Sequence, residues 1–212
     1  MDKEETIASC AFDTLFTRNA PHILEAIFLS LDYESFHSCL MVNKTWNQLL
    51  TSESFKKRGK QVFQNWLLYA AVNGKRDVVH ALLRMGAEPD KVAEDRGGLD
   101  GGTALHLAAS AGQKDVVEAL LDGGADIQKR DIDTMTPLLL SAMCGHMDVA
   151  KLLLDRGADP NTGTKDGFTP LHYAAYNGHE DMTELLLDRG ADPLKRDASG
   201  LTPSDYRIGI LR

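Results

Sequence analysis

The side chains best suited to acid–base or nucleophilic work are seven histidines and three cysteines. Two histidines share one local pattern, Thr103-Ala-Leu-His106 and Thr169-Pro-Leu-His172, and two others, His146 and His179, each follow a glycine. Histidine titrates near neutrality and readily serves as a base or a metal ligand. A metal, however, needs ligands that converge, and these recur one or two long periods apart. Cys144 has no base in its own motif beyond His146, and a thiol nucleophile needs one held against it. The run Gly97-Gly98-Leu99-Asp100-Gly101-Gly102 lacks the lysine and the strand–loop–helix setting of a phosphate loop. These patterns point to no catalytic residue, no metal site and no cofactor.

The same residues instead mark a period. Thr103, Thr136, Thr169 and Thr202 are 33 residues apart, as are Gly112, Gly145 and Gly178, and Gly124, Gly157 and Gly190. A fixed period of this length marks a repeat architecture. Within one unit, Thr103 can cap a helix. In the other units a proline follows the threonine, where its missing N–H is harmless. Leu105, Leu107, Ala108 and Ala109 build a short helix that Gly112 ends in a left-handed conformation. A second helix, Asp115–Leu121, carries Val116, Val117, Leu120 and Leu121 at helical spacing. Gly124-Ala125-Asp126 then turns the chain into a hairpin-like finger. One such unit cannot bury its apolar face, whereas stacked neighbours can.

Composition narrows the function classes. The chain has 212 residues, 43% hydrophobic and 25% charged, with a net charge of -8. From Trp66 onward acids outnumber bases by 23 to 16, a surface without the footprint for nucleic acid or anionic lipid. The basic cluster Lys56, Lys57, Arg58 and Lys60 is short and reads as a solvated face. Cys10, Cys39 and Cys144 are odd in number and lack metal spacing, as expected for reduced thiols in the cytoplasm or nucleus. No apolar run approaches a membrane span, and the acidic start, with Asp13 in its apolar part, is no signal peptide.

The repeating units resemble the ankyrin repeat over about Trp66–Arg212. The layout expected is a divergent first repeat at 66–99, full repeats at 100–132, 133–165 and 166–198, and a partial one at 199–212, within a region spanning 61–212. From Gly74 to Gly112 is 38 residues, which places an insertion in the finger Lys91–Gly102. The resemblance implies that His106 and His172 bond backbone between neighbouring units. Leu139 stands at that position in the middle repeat and implies a weaker finger connection there. It also implies a target protein on the concave face, touched by finger tips and first-helix ends. By register these are Leu99, Asp100, Ile132, Asp133, Met135, Lys165, Asp166 and Phe168 on fingers. The helix ends give Val72, Asn73, Ser110, Ala111, Met143, Cys144, Tyr176 and Asn177. Met135, Met143, Phe168 and Tyr176 are expected to line up as an apolar patch beside Asp133 and Asp166. Aromatic and methionine side chains suit such a role, and a basic or mixed apolar–basic segment would fit it.

The first 60 residues divide in two. Residues 1–19 form an arm in which Ile7, Ala11, Leu15 and Phe16 share one helical face. Residues 20–60 carry three apolar stripes: Ile23, Leu24, Ile27, Phe28 and Leu31; then Phe36, Cys39, Leu40 and Val42; then Trp46, Leu49, Leu50 and Phe55. Three short helices bury little surface alone, so an exposed apolar patch and a partner are expected. The pattern Ile23-Leu24-x-x-Ile27-Phe28-x-x-Leu31-Asp32, followed by Cys39-x-x-Val42-x-Lys44-x-Trp46, resembles an F-box. That resemblance implies docking onto the Skp-type adaptor of cullin–RING ubiquitin ligases through Pro21, Ile23, Leu24, Ile27, Phe28, Leu31, Val42 and Trp46. No Gly/Ser/Pro-rich linker precedes Trp66, so a stiff join is expected.

The fold expected is all-α: an ankyrin-repeat solenoid of helix-turn-helix units with hairpin fingers, preceded by a small three-helix F-box-like domain. The function expected is non-catalytic substrate recognition for a cullin–RING ligase. The alternative is a stand-alone ankyrin interaction scaffold.

Overall fold

The computed structural model describes residues 64–92 and 101–207. They belong to the compact unit Phe63–Arg212, which follows a first unit, Met1–Val62. The arm at 1–19, the residues from Pro21 to Trp46 expected to dock an adaptor, the join before residue 64, and Leu99 and Asp100 lie outside the described residues.

Helix α1 covers residues 64–72. It is followed by α2 (Arg76–Arg84), α3 (Ala104–Ser110), α4 (Lys114–Asp122), α5 (Pro137–Cys144), α6 (Met147–Asp155), α7 (Pro170–Tyr176), α8 (Glu180–Asp188) and α9 (Pro203–Arg207). The described residues contain no strand. First helices α3, α5, α7 and α9 stack on one another as one row, and second helices α2, α4, α6 and α8 as another. The core lies between the rows. Small residues in the first helices, among them Ala108, Ala109, Ala142, Ala174 and Ala175, are buried and let the helices approach closely. Val116, Val117, Leu120, Val149 and Leu153 close the core from the second row. None of the helices α2 to α9 exceeds nine residues, too short to be stable alone in water. Their stability comes from the stacking.

Both helix starts and helix stops are written in the repeated residues. Thr103, Thr136 and Thr169 are extended N-caps, and the Thr136 hydroxyl accepts from the Leu139 amide at 3.3 Å. Gly112, Gly145 and Gly178 follow the first helices with φ of 72°, 76° and 72°, conformations that cost glycine little. At Gly112 and Gly145 there is a second reason. A Cβ would fall 2.7 Å from the His146 ring and 2.9 Å from the His179 ring. Those rings reach back to the preceding unit: His146 Nε2 lies 2.9 Å from the Ser110 carbonyl, and His179 Nε2 lies 3.2 Å from that of Met143. Gln113 does the same one seam earlier, donating to Val72 at 3.1 Å. On the second row the seams carry exposed ion pairs, Arg156–Asp122 at 2.8 Å and Arg189–Asp155 at 2.6 Å, of the kind that contributes little.

Candidate functional site

The histidines fall where the repeat register puts them, and they work on backbone. His106 and His172 are fully buried. His106 Nδ1 accepts from the Thr103 amide at 3.2 Å, so its proton sits on Nε2, which donates to the Met135 carbonyl at 3.1 Å. His172 repeats this with Thr169 at 3.2 Å and Leu201 at 3.3 Å. Burial pushes both imidazoles below the ordinary histidine value, against the opposing pull of the accepting carbonyls. They are therefore neutral struts that hold the finger of the next unit. Leu139, fully buried at the equivalent position, has no group to donate to the finger at 164–168.

Each of the three fingers within the described residues is a tight hairpin. In the first, Asp131 N–H donates to the Met135 carbonyl at 3.1 Å, and the Asp131 carboxylate accepts from the Met135 amide at 2.8 Å. In the second, the Thr164 amide donates to Phe168 at 2.9 Å, and in the third the Asp197 amide donates to Leu201 at 2.9 Å. The turn position is glycine at 167 and 200 but Thr134 in the first finger, at φ 64°, unusual for a β-branched residue. Its hydroxyl accepts from the Lys165 amide at 2.8 Å and so joins two fingers. At Gly167 the same space is taken: a Cβ would lie 3.0 Å from the Asp197 backbone.

The surface residues expected from the register separate into three kinds. Ile132, Asp133 and Asp166 project as expected, Ile132 with 62% of its surface open, and Tyr176 is 60% open at the end of α7. Ser110 and Asn177 hold the scaffold with their polar groups. The Ser110 hydroxyl donates to Leu107 at 3.0 Å, and the Asn177 amide donates to Met143 at 3.1 Å. Met135 is a correction. It is 8% exposed and packs with Leu139 and Leu140, with Met143 and Tyr173 against them. The reason is local: Met135 leads into α5, and the buried Leu139 and Leu140 of that helix give it an apolar floor that draws the methionine inward. Met135 is core, and Met143 and Phe168 are half-buried rather than projecting.

What the surface does carry is an aromatic cluster around Phe168. Its ring centroid lies 5.4 Å from Tyr173, 5.1 Å from Tyr206 and 5.4 Å from His172, all tilted. Tyr176 meets Tyr206 edge-on at 6.0 Å. Burial and the carboxylates of Asp166, Asp133 and Asp131 push the Tyr173 phenol up. The Tyr206 hydroxyl donates to Asp197, and this bond pushes its phenol up to about 12. The same bond, with the amides of Leu201 and Ser199, holds the Asp197 carboxyl below the usual range. Tyr173 and Tyr206 were missed in the sequence because both occupy a core-like helical position. The available signal was that one register position reads Leu107, Leu140, Tyr173, Tyr206.

Cys144 is an exposed free thiol that partial burial pushes above the ordinary value, away from the thiolate a nucleophile needs. Among the described residues, no group of three His, Cys, Asp or Glu is placed to hold a metal ion.

A family model of ankyrin repeats matches in three overlapping stretches, residues 40–131, 67–164 and 124–197. The chain belongs to the ankyrin-repeat family. A model of the F-box domain matches residues 20–58, ahead of the repeats. A search among curated proteins returns no match. F-box domains generally bind Skp-type adaptors and ankyrin repeats bind proteins, and both are typically non-catalytic. The combination fits a substrate-recognition adaptor or an interaction scaffold.

Proposed function

We propose that this ankyrin protein is the substrate-recognition subunit of a cullin–RING ubiquitin ligase, acting in the cytoplasm or nucleus. Its F-box would dock the Skp-type adaptor through Pro21, Ile23, Leu24, Ile27, Phe28, Leu31, Val42 and Trp46, and its ankyrin stack would hold the target. The observation that carries this reading is the F-box match at residues 20–58 in front of a repeat stack. The protein performs no chemistry in this scheme. It raises the effective concentration of target lysines beside the charged ubiquitin carrier and makes transfer quasi-intramolecular. The test is co-purification of the full chain with the adaptor, alongside the double variant Ile27→Asp, Leu31→Asp. Capture by the native chain and loss in the variant support the reading. No capture, or equal capture by both, removes it.

A second reading is a stand-alone ankyrin scaffold with a helical N-terminal cap. One observation favours it: the F-box opening, commonly Leu-Pro, is here Asn19-Ala20, with Pro21 one place late. It requires Ile23, Ile27 and Leu31 to be sequestered in the free protein. Hydrogen exchange of that segment with and without adaptor distinguishes the two readings, since only docking adds protection.

A further inference from the structure

The aromatic cluster exceeds what the stack needs. One register position in the first helices is Leu107, Leu140, Tyr173 and Tyr206, and another is Ser110, Met143 and Tyr176. The earlier units are packed with the aliphatic or small residue, so the scaffold does not require rings in the later ones. Three rings, Phe168, Tyr173 and Tyr206, are half-buried rather than sealed from solvent, and Tyr176 is exposed. The fingers beside them present Asp133 and Asp166, both exposed. Among the described residues, neither carboxylate is taken up by an ion pair. Arg130, on the first described finger, donates to the Gly163 carbonyl at 2.9 Å, Lys165 stands beside Asp166 on the same finger, and Lys195 on the following one donates to the Asn161 carbonyl at 2.9 Å. The Tyr173 hydroxyl donates to the Met135 sulfur at 3.7 Å, two residues beyond Asp133, and the Tyr173 ring lies 5.4 Å from that of Phe168, two residues beyond Asp166, so acids and rings share one locality. Open ring faces beside uncompensated carboxylates match one ligand chemistry. A cation with a flat or extended apolar stem rests on the rings and points its charge at the acids. An apolar ligand would leave the acids unused, and an anionic one would be repelled.

We infer that the Phe168–Tyr176–Tyr206 cluster, with Asp133 and Asp166, receives an arginine or lysine side chain from an extended basic segment of the target protein. This names the target chemistry for the ankyrin half of the function proposed above and rests on that reading only in calling the ligand a target. Tyr176 is the open anchor, Phe168 is the platform, and Asp197 fixes Tyr206 through its hydroxyl so that the ring keeps its place.

The test uses the full chain and a fluorescein-labelled Gly/Ser-spaced peptide carrying Arg and Lys, with a counterpart in which citrulline and Gln replace them, read by anisotropy at low and moderate salt. The expected result is binding of the basic peptide alone. Affinity should fall about tenfold in Tyr176→Ala, as one cation–π contact of about 1–2 kcal/mol predicts. It should be retained in Tyr176→Phe, and fall similarly in Asp133→Asn, Asp166→Asn. Tyr69→Ala, at an exposed tyrosine of the first repeat, should have no effect. Equal binding of the neutral peptide overturns the inference. So does a loss in the Asp variant with none in Tyr176→Ala, which would mean charge attraction without a ring site. Unchanged thermal unfolding of the variants keeps the comparison valid. The same variants are passed over immobilised adaptor. Peptide binding without adaptor capture removes the ligase reading and leaves this one standing, and the reverse removes only this one.

Discussion

His106→Leu isolates the energy of a finger strut. The substitution deletes three bonds, from the Thr103 amide at 3.2 Å, from the Thr103 hydroxyl at 2.8 Å and to the Met135 carbonyl at 3.1 Å. The Met135 carbonyl keeps its bond from the Asp131 amide, so it is not orphaned. The Thr103 amide, in a fully buried residue, loses its acceptor, which costs about 1–3 kcal/mol. Leucine is a shape the fold accepts, since Leu139 fills the equivalent place, and its burial offsets part of the loss, about 1 kcal/mol or so. With about 0.5–1.5 kcal/mol more for the lost bond to Met135, the net expectation at neutral pH is a destabilisation of about 0.5–3.5 kcal/mol, or about 2–4 °C of Tm for each kcal/mol in a domain of this size. The pH dependence supplies the sharper test. Burial sets the folded pKa of His106 below its ordinary value of 6.5. The unfolded chain therefore binds the proton first. Stability from the neutral ring is complete above about pH 6.5 and falls as pH drops below it, by at most about 1.4 kcal/mol per pH unit. The leucine variant lacks this loss. The gap between wild type and variant must narrow between about pH 7.5 and about pH 5.5, read from denaturant midpoints at each pH. A gap that stays constant, or a variant as stable as wild type at neutral pH, would refute the strut.

Two further outcomes follow from the same geometry. Gly112→Ala meets both a positive φ and the His146 ring 2.7 Å from the new Cβ, whereas Gly124→Ala meets a positive φ and open space. The first should cost clearly more than the roughly 1 kcal/mol of backbone strain expected for the second, and equal urea midpoints would contradict the seam packing. Tyr206→Phe removes the hydroxyl that is the leading cause of the lowered Asp197 pKa. The stability that Asp197 contributes is present above its unfolded value of 3.8 and is lost as pH falls through the folded value, so this acid limb should move to higher pH in the variant. An unmoved Asp197 carboxyl titration, followed by NMR, would separate the two groups.

Much of the fold was legible because glycines, threonines and prolines recur at one spacing, and each has a single backbone use. The second helix expected at Asp115–Leu121 forms at Lys114–Asp122, and His106 and His172 bond backbone between units as the ankyrin resemblance implied. The surface was less legible. Whether Met135 points outward depends on Leu139 four residues later and on the apolar floor it creates, a tertiary fact invisible to register alone. Tyr173 and Tyr206 sit at core spacing, and their role emerges only when Phe168 folds between them. The positive φ of Thr134 was likewise hidden, since its β-branched side chain argues against it, and the bond from Lys165 that accompanies it comes from the next unit.

The back-reaching side chains give the stack a uniform thread. The seam between the second and third units and that between the third and fourth close alike, a ring from the later unit lying over the glycine of the earlier and meeting a carbonyl at the end of its first helix, two residues before that glycine. Ser110 and Met143 therefore accept the same kind of partner, and His179 could meet Ser110 as His146 does. Excising residues 133–165 would bring matching ends together, with the Phe168 carbonyl facing His106. Lineages carrying this pattern can change length by whole units while the aromatic end of the stack is left intact.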